Sequence, residues 1–251
     1  MRDHVSMDRL LIKQEEQRRR FEAIVRGDAD LVQLLNAARE LRLPQWRIVA
    51  GCLYQTTWNV LTNKAARTGI KDYDLIYFDE TDLSWEAEDQ VVKRVNARMS
   101  DLPAPVEVRN QARVHLWFKK RFGADYAPLR CADESLARYA SIVHALGVRL
   151  EYDGCLDIVA PFGFDDLFNM VIRPNRAIAN EGTFTAKAAR AKAIWQEVSN
   201  TDPCQRRSFR HSLTGESCGI PTWSGMTLRR IGFLRLNIST DRVTWQGLNQ
   251  P

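Results

Sequence analysis

The sequence has no Cys-x-x-Cys pair; its five cysteines, Cys52, Cys131, Cys155, Cys204 and Cys218, are odd in number and widely scattered. That spacing argues against a structural zinc site and a disulfide framework, and leaves free thiols as the expectation. No apolar run approaches the roughly 18 residues of a membrane-spanning helix, and the charged start Met1-Arg2-Asp3-His4 is unlike a signal peptide. The expectation is a soluble cytoplasmic protein with no membrane partner. Lysine is missing after Ser199, where seven arginines (Arg206, Arg207, Arg210, Arg229, Arg230, Arg235, Arg242) stand against Asp202, Glu216 and Asp241. This stretch therefore carries +4 of the chain's net +5, leaving a nearly neutral body that does not read as a broad phosphate-tracking surface. The arginines fit either a nucleic-acid arm or a nonfunctional extension.

What is present suffices for a core: 45% of the 251 residues are hydrophobic. Residues 9–26, rich in Arg, Glu and Gln, read as an exposed helix with little to bury. Asp28 or Asp30 caps a better helix, whose Leu31, Leu34, Leu35, Ala38 and Leu41 fall at helical spacing before Pro44. A short apolar strand, 46–50, ends at Gly51 and is followed by a helix from Cys52 and a strand over 72–78 that is apolar on both faces, as a central strand is. Ser84 caps a helix over 85–98, whose acidic start and basic end complement its dipole and explain Glu86, Glu88 and Asp89 without a site. Residues 106–117 alternate so regularly that they read as one long strand, with Asn110 the exception. A helix is expected from Asp133 to a stop at Gly147, then a hairpin over 148–160 turning at Asp153-Gly154, and a last helix over 184–195. The basic residues of that helix, Lys187, Arg190 and Lys192, could reach a phosphate but read first as a solvated face. The expected organisation is an N-terminal helical segment over 1–27, one domain over 28–199, and a loosely structured Arg-rich tail over 200–251. Its fold class is α/β, or α+β in a strict classification, with a mixed sheet flanked by helices.

The chemistry concentrates at Asp72 and Asp74. Residues two apart on a strand project to one side, so both carboxylates can reach one cation. Mg²⁺ takes oxygen ligands, commonly one or two carboxylates with substrate phosphates. The polar side of 106–117 offers Glu107 as a third metal ligand and Arg109 and Arg113 as phosphate forks; His115 lies on the same side without a nameable partner.

The motifs Val49-Ala50-Gly51-Cys52, Thr57-Trp58-Asn59, Lys71-Asp72-Tyr73-Asp74, Val106-Glu107-Val108-Arg109, Ala160-Pro161-Phe162-Gly163 and Arg173-Pro174-Asn175 resemble a family of bacterial nucleotidyltransferases in the DNA polymerase β-like superfamily. The resemblance covers roughly residues 20–198 and leaves the tail outside. It implies Asp72, Asp74 and Glu107 as catalytic acids and ligands of Mg²⁺ or Mn²⁺, with Glu107 also activating the attacking group. It further implies a nucleotide-binding set of Gly51, Cys52, Lys71, Arg109 and Arg113. The implied reaction moves a nucleoside monophosphate from an NTP to an acceptor hydroxyl on a small molecule, a protein or an RNA, releasing pyrophosphate. Two departures stand out: Cys52 occupies a position where Ser is usual, and the stretch from Gly51 to Asp72 is longer than usual. A noncatalytic nucleotide- or RNA-binding protein on the same fold is the competing reading.

Overall fold

The computed structural model describes residues 2–177 and 181–200. The chain divides into two compact units, Met1–Arg207 and Ser208–Pro251, of which the second lies wholly outside the described residues. The expectations for the tail, its arginines and its weak strand pattern over 231–238 therefore also lie outside them.

Two helices open the chain, α1 (Arg2–Gly27) and α2 (Ala29–Glu40). Asp28 caps α2, accepting from Leu31 N at 2.9 Å. The end of α1 differs from the expectation of a helix with little to bury. Phe21 and Val25 are fully buried, and Phe21 packs its ring 5.3 Å from that of Phe164. Four residues apart, they form the apolar stripe by which the end of this helix packs, while Leu10, Leu11 and Ile12 nearer its start are exposed.

Next come β1 (Arg47–Val49), α3 (Gly51–Leu61), β2 (Tyr73–Tyr77), α4 (Trp85–Arg98, capped by Ser84) and β3 (Val106–Asn110). After β3 come α5 (Val114–Phe122), β4 (Gly147–Leu150), β5 (Leu156–Val159), the short α6 (Asp165–Phe168), β6 (Val171–Ile172), α7 (Glu181–Ile194) and β7 (Ser199–Asn200). The five-stranded sheet has the order β3-β2-β1-β4-β5; β2 and β3 are parallel and the other neighbours antiparallel. This is the mixed sheet flanked by helices. The β4–β5 hairpin closes with Glu151 N donating to Cys155 O, so its loop has three residues rather than two, and Gly154 takes the left-handed conformation at φ +84°.

Alternation along β2 assigns its two faces. Tyr73, Leu75 and Tyr77 join the main core with residues of α1, α2, α3 and α7. Ile76 and Phe78 join a smaller cluster with Val49, Ala112, Leu129 and Leu136 on the opposite face. Asp74 shares that second face. Among the described residues no helix is long and apolar enough to cross a membrane.

Two sequence expectations fail. The strand expected over 106–117 stops at Asn110, the one residue that broke its alternation. Asn110 Oδ1 accepts from the amides of Asp79 and Ala112, its Nδ2 donates to Asp79 O at 2.7 Å, and its own amide donates to Glu88 Oε1 at 2.8 Å. These bonds replace the ladder, and the chain turns through Gln111–Arg113 into α5. The helix expected from Asp133 is likewise only two 3₁₀ turns, Asp133–Arg138 and Ile142–His144. The carboxylate of Asp133 holds the guanidinium of buried Arg47 instead of capping. The amide of Ile142 donates to Arg173 O and that of Asn175 to Ala140 O, diverting backbone groups that a helix would need.

Candidate active site

β1 ends at Val49, directly opposite Asp74 of β2. The chain then reverses through Ala50, whose φ of 57° with ψ of −112° is a conformation that costs an alanine about 1–3 kcal/mol. That turn sets the start of α3 against the sheet: a Cβ added to Gly51 would lie 3.9 Å from Asp74 Oδ2 and 3.8 Å from Gln55 Oε1. The first amides of a helix lack partners within it and carry positive partial charge, which suits phosphate. The start of α3 thus faces the Asp74 carboxylate, and Gly51 leaves the space between them open.

On the other side Asp74 is the direct parallel neighbour of Glu107, and adjacent strands are about 4.8 Å apart. Asp72 lies one residue before β2 and two before Asp74, on the same side. Arg109, opposite Ile76, shares this side as well; its Nη2 stands 3.9 Å from Glu107 Oε2, with both side chains about half exposed, a weak pair. Burial pushes the Asp74 carboxyl up to about 6, and the charges of Asp72 and Glu107 add to that effect while Lys187 and Arg109 oppose it. The structure therefore brings Asp72, Asp74, Glu107, Gly51 and Arg109 together, and adds Lys187 from α7.

Residues 36–199 match the family model described as Nucleotidyltransferase. The chain belongs to the nucleotidyltransferase family. Among solved structures it is similar to a protein whose NMR structure is described as revealing a CCA-adding enzyme head domain. The TM-score is 0.60 and the identity 23%, over 72% of this chain and 94% of that one, a likeness of fold. No curated protein matches the chain.

Within this nucleotidyltransferase several expected site residues take other roles. Cys52 is fully buried, with its thiol turned to Val49 O at 3.7 Å, and burial followed by the Asp74 charge holds that thiol well above its usual pKa. Its thiol is turned into the core, and only its backbone amide lies at the start of α3. Lys71 is exposed and immediately precedes Asp72. Arg113 lies beyond the end of β3, in the turn Gln111–Arg113. It is 8% exposed, paired with Glu88, and donates through Nε to Leu83 O at 2.9 Å. The break at Asn110 removed it from the face that holds Glu107 and Arg109. Arg113→Lys is expected to lose about 2 kcal/mol of stability, since Lys cannot reproduce the fork, with NTP affinity unchanged; paired thermal melts and NTP titrations check that split. His115 lies in α5, its Nδ1 buried without a hydrogen-bond partner.

Gln55 is the site neighbour that sequence reasoning missed, while Lys187 reads in the sequence as a solvated residue able to reach a phosphate. Gln55 donates to Tyr54 Oη at 3.0 Å and keeps its carbonyl oxygen toward Gly51. Lys187 is exposed, as its helix pattern implied, and its charge nonetheless acts on Asp74 because the buried Phe184, Ala188 and Ala191 dock α7 against the core.

Among the described residues no three His, Cys, Asp or Glu side chains already stand together as a metal site. The donor types nonetheless suit a hard divalent cation: Asp72, Asp74 and Glu107 supply only oxygen, and the crowding of acids around Asp74 calls for positive charge. Glu107, at 55% side-chain exposure, retains rotamer freedom to join them.

Proposed function

We propose that this protein moves a nucleoside monophosphate from an NTP to an acceptor hydroxyl and releases pyrophosphate. The observation that carries the reading is the in-register pair Asp74 and Glu107, with the start of α3 set against Asp74 at Gly51. In this reading Asp72, Asp74 and Glu107 hold Mg²⁺ or Mn²⁺, which supplies Lewis-acid neutralisation of phosphate charge. The leading amides of α3, Gly51 and Cys52 among them, cradle the triphosphate, while Arg109 and Lys187 offset its charge. Lys71 stands at the edge of this set. The acceptor oxygen attacks the α-phosphorus in line, the bond from the α-phosphorus to the bridging oxygen breaks, and pyrophosphate leaves with that electron pair. Glu107, the most exposed of the three acids, receives the hydroxyl proton. Positioning and electrostatics carry such a step without a covalent enzyme intermediate. The reaction is assigned to the cytoplasm, where NTPs are supplied.

The test is pyrophosphate release from each of the four NTPs by the full chain, with cell extract supplying acceptors. Release that requires Mg²⁺ or Mn²⁺ and stops with EDTA supports the reading and identifies the nucleotide. NTP binding without any turnover overturns it in favour of a noncatalytic nucleotide-binding protein.

A further inference from the structure

α5 turns aromatic rings outward. Leu116 and Phe122 are 55% and 47% exposed, and Trp117, Phe118 and Phe122 belong to neither core cluster. They pack instead on one another: the Phe118 ring lies 4.7 Å from that of Phe122 and 4.6 Å from that of Tyr126, with Trp117 beside both phenylalanines. Lys119, Lys120 and Arg121 follow one another on the same short helix; Lys119 is ion-paired to Asp125 at 2.8 Å, which leaves Lys120 and Arg121 as the cations offered to a ligand. Cations at a helix C-terminus complement its dipole, which explains the charges. It does not explain why partly exposed rings gather around them.

The geometry points to a docking surface for single-stranded nucleic acid, the acceptor class of the transferase proposed above. Bases stack on exposed aromatic faces whatever their sequence, and phosphates take lysine and arginine, so interleaved rings and cations match both halves of such a ligand. The guanidinium of Arg138, 4.5 Å from the centre of the Tyr126 ring, continues this pairing of charge and ring. The inner edge of the patch is anchored in the fold: Tyr126 packs on the smaller cluster, which lies on the same face of the sheet as Asp74. A bound acidic protein would satisfy the cations but has no matching use for a row of ring faces.

The test is fluorescence anisotropy of a labelled oligouridylate with the full chain over a salt series. The expected result is saturable binding whose log-log salt slope is about −0.7 per phosphate contacted. Phe122→Ala should weaken it about tenfold, and Lys120→Gln with Arg121→Gln should flatten the slope by about 0.7 per cation removed, with the thermal midpoint of the double cation variant unchanged because both residues are exposed. The role as acceptor rests on the transferase reading, but the binding does not: Asp74→Asn should bind the oligonucleotide as tightly as the unmodified protein. Absence of saturable binding overturns the proposal. So does undiminished affinity in the α5 variants, which would place binding elsewhere, residues beyond 200 included. Salt-independent binding displaced by polyglutamate would favour an acidic protein partner and likewise overturns it.

Discussion

Asp74→Asn abolishes turnover, reducing pyrophosphate release by roughly 10³-fold or more, equivalent to about 4 kcal/mol of transition-state stabilisation, while the protein melts no earlier than the unmodified chain. The two readouts separate catalysis from folding because Asp74 is poorly placed to help the fold. It is partly buried beside Asp72 and Glu107, with no hydrogen bond or ion pair described for its carboxylate, and its neighbourhood disfavours the charged form. Asparagine keeps the shape and removes the repulsion. A variant that unfolds early would show Asp74 to be structural, and one that keeps normal turnover would remove it from the chemistry.

Trp195→Ala is expected to lose about 3–5 kcal/mol of stability, a fall in thermal midpoint on the order of 10 °C for a unit of this size. Trp195 is fully buried, donates through Nε1 to Asn59 Oδ1 at 3.0 Å, and crosses Trp58 edge-on at 5.4 Å between centroids. Trp58 in turn donates to Leu167 O at 2.9 Å. Gly69 is held against the indole so closely that a Cβ there would lie 2.6 Å from its Cη2. Removing the ring empties this space, strands the Asn59 oxygen and frees the end of α7, the helix that brings Lys187 to Asp74. Thermal unfolding followed by circular dichroism measures the loss, and a shift below about 2 °C would contradict it. In the surviving folded fraction, weaker NTP binding with an unchanged acid set is the accompanying expectation.

What the residues announce and what they conceal follows from range. Asp28 and Ser84 act within three residues of themselves, and both cap the helices assigned to them. The spacing of Asp72 and Asp74 is equally local, and β2 sits centrally, as its apolar content implied. Side-chain bonds that reach across the chain are not local. Asn110 stops β3 by bonding to Asp79, 31 residues away, and Asp133 is drawn to Arg47, 86 residues away. In each case a regular pattern continued past the point where a distant polar partner had ended the element. The same break carried Arg113 from the phosphate side into a pair with Glu88. Lys187 shows the reverse: a lysine that reads as solvated on its own helix, and is exposed, acts on Asp74 only because α7 is packed.

The parallel pairing of β2 with β3 also shapes how this site can tolerate change. Asp74 and Glu107 are kept side by side by main-chain hydrogen bonds, not by the identity of the side chains beneath them. Volume-conserving drift at Leu75, Tyr73 or Val108 repacks the core without parting the acids. A single inserted residue within either strand is another matter, since a one-residue slip sends every side chain beyond it to the opposite face. Such a site is permissive toward substitution and intolerant of insertion or deletion, and its lineage would vary in core composition long before it varied in the length of these two strands.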